Sequence, residues 1–184
     1  ITTALLASGI CSKPDTRMLV DIGTNGEIAL WHRGQLSCCS TAAGPAFEGA
    51  GLSMGMAGKT GAVDHVRVQD GALQAHVIGG GAPKGICGSG VIDALACLVE
   101  LEQLDETGLL EQDPAPVAPP VCLTQKDVRM VQLAKSAICA GLSTLLRVEG
   151  LCGADAAELA VAGGFGSYLD VDSAGRIGLL PEEL

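Results

Sequence analysis

The sequence predicts an α/β fold in which a mixed sheet is flanked by helices, and three observations support this prediction. Short apolar runs with a period of two fill the first half of the chain and are separated by Gly-containing turns. Two long apolar stretches with helical spacing follow them. A short aliphatic run beside a Gly-rich bend then comes near the end of the chain.

Strands dominate the predicted first half, after a leading segment of helix and linker. Residues 1–16 are expected to be the end of a preceding helix and a linker, with the helix ending at Ser8 and Gly9. Asn25-Gly26 is a strong hairpin signal, and three consecutive antiparallel strands are expected around it. Residues 44–51 predict a loop or an irregular helix. The predicted strands are 18–23, 27–31, 35–42, 63–68 and 73–78.

Helices are predicted in the second half. Residues 89–104 are apolar on nearly every side, which indicates a helix buried by its neighbours. Thr124 is expected to cap a long helix that runs to about Val148. The Pro-rich residues 113–121 predict an extended spacer inserted between these helices. The last predicted elements are a buried strand at 159–162, a turn at 163–166 and a helix at 167–177.

Composition excludes several classes of function. The chain has 184 residues, a net charge of −10 and 2% aromatic residues, so neither a basic groove nor a base-stacking surface is expected for nucleic acid. Its apolar runs are shorter than the roughly 20 residues of a spanning helix, so no membrane is expected as a partner. The eight cysteines form no CxxC pair and predict reduced thiols in the cytoplasm. Because the chain begins with Ile1, it is expected to be a fragment of a longer protein.

The segment from Asp21 to Glu27 is the first candidate site. A glycine-containing hairpin tip turns backbone N–H groups toward one point, where they can hold phosphate. Asp21 would repel that phosphate unless a magnesium ion, bound through water, lay between them. An ordinary type I′ hairpin explains the same residues equally well. The candidate phosphate ligands are Gly23, Thr24, Asn25, Gly26 and Glu27.

Two further glycine motifs are candidate ligand sites. Gly88 and Ser89 open the predicted buried helix, where free N–H groups form an anion site, although tight packing on a sheet explains these glycines as well. The second motif follows a strand, and its glycines allow a flat adenine or ribose to lie against the backbone. A plain strand-to-helix turn is the alternative. That motif consists of Gly163, Gly164, Phe165 and Gly166.

Isolated polar residues are weaker candidates. Glu48 lies in a Gly-rich segment and is either a solvated carboxylate or a contact of magnesium or water. The three histidines, His32, His65 and His76, stand on separate segments with no carboxylate or cysteine at ligand spacing. Surface or strand positions are therefore expected for them rather than metal ligation.

Four motifs, taken in order, resemble one family. They span residues 21–28, 43–49, 86–95 and 162–170. Together they are similar to the C-terminal ATPase region of reductive activators of corrinoid proteins. That region belongs to the acetate and sugar kinase, heat-shock protein and actin superfamily, whose two ribonuclease H-like lobes clamp ATP. The resemblance implies that residues 17–184 are the second nucleotide-binding lobe.

The resemblance also implies roles for residues and partners. Asp21 to Glu27 corresponds to the second phosphate motif and Gly163 to Gly166 to the adenosine motif. Asp21 and Glu48 are the expected catalytic residues, and Asp21 is the expected magnesium ligand, through water. The implied cofactors are ATP and magnesium. A two-iron, two-sulfur cluster is expected only in an N-terminal ferredoxin-like domain that this chain does not contain.

The implied partners are a corrinoid protein, the protein's own N-terminal lobe and ferredoxin-like domain, and a second copy of the protein. The fragment alone is expected to lack turnover. Three alternatives stay open: an activator of 2-hydroxyacyl-CoA dehydratases, in which Cys87 would hold a cluster; a small-molecule kinase; and a non-catalytic interaction module. The ATP hypothesis requires that the tip after Asp21 and the bend near Phe165 converge on one cleft edge.

Overall fold

The computed structural model describes residues 1–181 and 184. Its main sheet is built from strands at both ends of the chain: β1 (Arg17–Ile22), β2 (Gly26–His32), β3 (Gln35–Thr41) and β9 (Glu158–Ala162). The order is β3-β2-β1-β9, in which β1, β2 and β3 are antiparallel and β9 runs parallel to β1. The mixed sheet predicted from the sequence is confirmed.

A second sheet is inserted after β3. It consists of β4 (Ala62–Gln69), β5 (Ala72–Val77) and β6 (Gly85–Ile86), in the order β5-β4-β6. Asp70 and Gly71 join β4 to β5 with φ values of 52° and 74°, as a type I′ turn requires. The predicted hairpin around these two residues is confirmed.

The helices flank the sheets. They are α1 (Thr2–Ser8), α2 (Gly88–Glu100), α3 (Gln125–Val148), α4 (Gly163–Gly166) and α5 (Val171–Arg176). Short 3-10 helices occupy Ile10–Ser12, Pro45–Glu48 and Gly153–Asp155. Thr124 caps α3 as predicted, because its hydroxyl accepts a hydrogen bond from the N–H of Asp127 at 3.3 Å.

The core lies between the helices and the sheets. Eleven of the 13 residues of α2 are buried, which explains why the apolar pattern of this helix covers all its faces. On α3 the buried side chains follow helical spacing, among them Ile138 and Leu142, and the helix packs on β2 and β3. Burying an aliphatic side chain of this size stabilises the fold by roughly 1.5–3 kcal/mol. Within the described residues, no helix is both long and apolar enough to cross a bilayer.

Four elements differ from their predictions, and the first is the predicted turn at residues 163–166, which forms the four-residue helix α4. The proline segment forms a hairpin of β7 (Ala115–Ala118) and β8 (Val121–Leu123) rather than a spacer, because alternate side chains of the hairpin enter the core. Strand β9 is half-buried rather than buried, because it lies at the edge of its sheet. Helix α5 begins only at Val171, since the Asp170 side chain accepts the N–H of Ser173 at 2.8 Å and caps it there.

Candidate functional site

The carboxylate of Asp21 lies under the Gly-rich bend that follows β9. Asp21 pairs with Ala162 in the parallel ladder between β1 and β9, so both strands end at the same edge of the sheet. A Cβ atom added to Gly163, whose φ is +88°, would stand only 2.5 Å from Oδ1 of Asp21. A side chain there would collide with the carboxylate. The tip after Asp21 and the bend before Phe165 therefore converge, as the ATP hypothesis requires.

The tip between β1 and β2 is a three-residue loop, Gly23 to Asn25, because Ile22 pairs directly with Gly26. Positive φ values occur at Arg33 and its neighbour Gly34, whereas Asn25 and Gly26 lie outside the left-handed region. A type I′ turn needs positive φ at both central residues. The tip is therefore not the ordinary type I′ hairpin that explained these residues equally well in the sequence.

Thr24 presents two hydrogen-bond donors to an anion. Oε1 of Glu48 accepts from the backbone N–H of Thr24 at 2.9 Å and from its hydroxyl at 2.8 Å. The main-chain oxygen of Thr24 accepts from the N–H of Gly44 at 2.9 Å, which ties the tip to the segment that carries Glu48. One carboxylate oxygen thus rests on two convergent donors. This geometry suits a phosphate oxygen as well as a carboxylate oxygen.

The glycines of the tip differ in what they do. A Cβ at Gly26 would lie 2.1 Å from Cδ1 of Ile138, so this glycine is required by the close packing of α3 on β2. Gly23 has Oε1 of Glu48 as a neighbour of its added Cβ, at 3.7 Å. Asn25 is exposed at the tip, and Glu27 is half-buried on β2 opposite Asp21.

Some of the remaining candidate glycines are required by close packing, whereas another faces open space. A Cβ at Gly88 would lie 1.9 Å from the carbonyl oxygen of Phe47, and one at Gly166 would lie 2.9 Å from Cγ1 of Val161. These two positions serve close packing. Gly164, by contrast, has no heavy atom within 4 Å of an added Cβ, and it faces open space.

Phe165 and Phe47 form an aromatic wall beside the bend. Their ring centroids are 5.3 Å apart and the planes are inclined by 19°, which is a stacked arrangement. The wall borders a cleft of about 650 Å³, which Gly164 and Ser89 also line. The cleft therefore joins the adenosine-type bend, the start of α2 and the segment of Glu48.

Ser89 uses its hydroxyl within the protein. The hydroxyl donates to the carbonyl of Asp64 at 2.8 Å, and Sγ of Cys87 lies 3.5 Å from Oγ of Ser89. Ser89 therefore has two positions in the structure: it connects α2 to β4 through this hydrogen bond, and it lines the cleft.

Two histidine–carboxylate pairs were not visible in the sequence. The ring Nδ1–H of His76 donates to Asp64 at 2.6 Å, and that of His65 donates to Asp93 at 3.0 Å. Both histidines lie on strands, as expected, His65 on β4 and His76 on β5, and the carboxylate partner of each lies on another element. Asp93 is 3% exposed, and burial raises the pKa of its carboxyl, partly offset by the hydrogen bond with His65. No group of three or more metal-binding side chains occurs among the described residues.

The chain is similar to known proteins over nearly its whole length. A family model described as the C-terminal domain of RACo, the ASKHA domain, matches residues 15–184. The corrinoid activation enzyme RamQ of Eubacterium limosum is 40% identical to the chain over 209 residues, which cover 98% of the chain and 35% of that enzyme. The [Co(II) methylated amine-specific corrinoid protein] reductase of Methanosarcina barkeri is 30% identical over 199 residues, which cover 96% of the chain and 37% of the reductase.

A solved structure is similar over almost the whole chain. It is that of a reductive activator for corrinoid, iron-sulfur protein, and it superimposes with a TM-score of 0.88 at 33% sequence identity. The match covers 98% of this chain and 32% of that one. The chain thus spans about a third of the length of each of these three relatives.

Proposed function

The chain belongs to the family of the C-terminal ASKHA domain of RACo, and from that premise we propose that it is the ATP-binding lobe of an ATP-dependent reductive activator of corrinoid proteins. The three relatives are named for corrinoid activation or reduction, which supports a corrinoid protein as the partner. Residues 17–184 form the second lobe in this proposal, and residues 1–16 are the end of a preceding helix and a linker. The first lobe and the ferredoxin-like domain belong to the longer protein.

One observation carries the nucleotide part of the proposal. The parallel register of β1 and β9 places Asp21 beside Gly163, so the phosphate-type tip and the adenosine-type bend share one edge of the sheet. Ligands in open α/β sheets bind at the carboxyl ends of strands. The two donors of Thr24 supply the anion contact that a phosphate needs.

The residues then have definite tasks. Thr24, with Asn25 and the backbone of the tip, holds phosphate oxygens, and Asp21 holds magnesium through water. Magnesium supplies neutralisation of phosphate charge. Gly164 and the ring of Phe165 border the nucleoside. Once phosphate takes the donors of Thr24, Glu48 is released, and its carboxylate orients the attacking water and accepts its proton.

The unfavourable free energy of cobalt reduction explains why the proposed activator needs ATP. Reduction of cobalt(II) to cobalt(I) is uphill for an iron–sulfur cluster of ordinary potential, and the single electron would come from the two-iron, two-sulfur cluster expected in the N-terminal ferredoxin-like domain. ATP binding favours the closed arrangement of two lobes and so biases a two-state element. All eight cysteines of the chain are free thiols, which supports a place in the reducing cytoplasm.

The test uses the full-length protein and its Asp21→Asn variant. Calorimetry with and without magnesium should show magnesium-dependent ATP binding in the wild type, and the variant should lose that dependence together with ATP hydrolysis. The matched control is Asp15→Asn, which changes an exposed carboxylate that pairs with Arg17 outside the cleft. Magnesium-independent binding in the wild type, or full ATPase activity in the variant, would show the proposal to be wrong.

A further inference from the structure

A bulge in the second sheet takes Asp64 out of the regular ladder. Val63 pairs with Val77 and His65 pairs with His76, so Asp64 has no residue opposite it on β5. An extra residue of this kind bends the strand and re-aims a side chain, and such bulges are frequent beside functional sites. The side chain of Asp64 is 17% exposed. It lines the same cleft as Phe165 and Gly164.

Asp64 is held at two atoms, one on its side chain and one on its main chain. The ring of His76 donates to its Oδ1 at 2.6 Å, and the hydroxyl of Ser89 donates to the main-chain oxygen of Asp64 at 2.8 Å. Ser89 belongs to the first turn of α2, a 13-residue helix with a buried body. Among the described residues, no donor reaches Oδ2 of Asp64. Asp64, a residue of the cleft lining, therefore carries one carboxylate oxygen bound by His76 and one unused oxygen.

The walls of the cleft differ in chemistry. Phe47 and Phe165 form an apolar wall that suits the flat face of a base. A nucleoside also carries ribose hydroxyl groups, which need an acceptor, and a carboxylate is the strongest acceptor that a side chain offers. Glu48, which lines the cleft too, already accepts from Thr24. Asp64 is the carboxylate of this lining that stands apart from the tip.

We propose that Asp64, positioned by His76, accepts a hydrogen bond from the ribose 2′-hydroxyl of the bound nucleotide and so selects ribonucleotides over 2′-deoxyribonucleotides. This inference rests on the proposed function, since it assigns a specificity residue to the same nucleotide site. Asp64 contacts the ligand in this proposal, whereas His76 is a positioning residue. Asn at position 64 would keep the shape of the side chain but lose the charged acceptor.

The experiment measures calorimetric affinities of the full-length protein for ATP, 2′-deoxy-ATP and ITP, which differs from ATP in having a 6-oxo group. The wild type should prefer ATP to 2′-deoxy-ATP by about tenfold, the usual effect of one hydrogen bond to a charged group. Asp64→Asn should bind both nucleotides alike. His76→Ala, in which the removed side chain is 67% exposed, should reduce the preference without unfolding the protein.

The control is Asp70→Asn, the same substitution at the exposed turn of the same hairpin, where Asn also accepts a positive φ. It should keep the preference of the wild type. A wild-type preference for ATP over 2′-deoxy-ATP in Asp64→Asn would overturn the inference, whatever the result for His76→Ala. If Asp64→Asn changes only the preference for ATP over ITP, and not that over 2′-deoxy-ATP, the inference is also overturned, because Asp64 would then contact the base. If the wild type binds no ATP at all, the proposed function fails and the inference falls with it.

Discussion

Phe165, in the bend after β9, stacks on Phe47, in the 3-10 helix that ends at Glu48, with ring centroids 5.3 Å apart. The contact connects two segments that are far apart in the chain. It also places the Gly-rich bend after β9 against the segment whose carboxylate accepts hydrogen bonds from Thr24. A substitution of either ring should therefore alter the structure at both the bend after β9 and the segment that carries Glu48.

The stacked pair gives a prediction for stability. Phe47→Leu and Phe165→Leu each keep apolar bulk but lose the ring contact, so the double variant should be less destabilised than the sum of the two single variants. We expect a coupling energy of about 0.5–1.5 kcal/mol, the usual worth of an aromatic pair. Urea unfolding of the four proteins measures it. Strict additivity would mean that the rings do not interact in solution.

Glu48→Gln tests the release of the carboxylate from Thr24. The amide should lower kcat for ATP hydrolysis by about 100-fold, because it cannot accept the proton of water. The Kd for ATP should stay the same or decrease, since phosphate would no longer displace a charged acceptor from the donors of Thr24. Steady-state kinetics and calorimetry separate the two effects.

Glu111→Gln is the matched control for that substitution, because Glu111 is exposed and lies outside the cleft lining. It should leave both constants unchanged. Weaker ATP binding with normal turnover in Glu48→Gln would contradict the role given to Glu48.

Two glycine substitutions should separate packing from binding. Gly26→Ala forces a methyl group to within 2.1 Å of Ile138, so we expect a loss of about 1–3 kcal/mol in the free energy of unfolding. Gly164→Ala meets no atom within 4 Å, so stability should hold while ATP binding weakens. Urea unfolding and calorimetry on both variants check this. Equal destabilisation by the two substitutions would refute the distinction.

The buried Asp93 gives a pH dependence. Burial raises the pKa of its carboxyl in the folded state, so the protonated form is favoured by folding. The stabilisation from Asp93 is then complete below its unfolded pKa of about 3.9 and is lost as pH rises through the raised folded value.

The comparison with Asp93→Asn isolates this effect from other carboxylates. The stability of the wild type relative to the variant should decrease as pH rises above about 4. Urea unfolding at several pH values measures the difference. A difference that increases over this range would show that His65 and Val66 stabilise the charged form more than burial destabilises it.

Much of the fold was predictable because its signals are local. Arg33-Gly34 and Asp70-Gly71 are turn residues at positive φ, and Thr124 is a cap three residues before Asp127. Alternating burial along β5 likewise follows the period of a strand. Each of these signals lies within a few residues of the structure it predicts.

The candidate site was only partly predictable because its decisive contacts are long-range. His65 and Asp93 are 28 residues apart in sequence, and Glu48 and Thr24 are 24 apart. No spacing rule links such residues. A glycine required by packing, such as Gly26, also has the same sequence signal as a glycine that faces a ligand.

The parallel pairing of β1 with β9 has a consequence for synthesis of the protein. Arg17 and Glu158, which face each other at the start of that pairing, are separated by 141 positions. A chain growing on the ribosome therefore acquires the tip after β1 early, and it acquires the Gly-rich bend after β9 only when β9 has emerged and can pair with β1. If the proposed function is correct, nascent chains are expected to bind no nucleotide before this pairing.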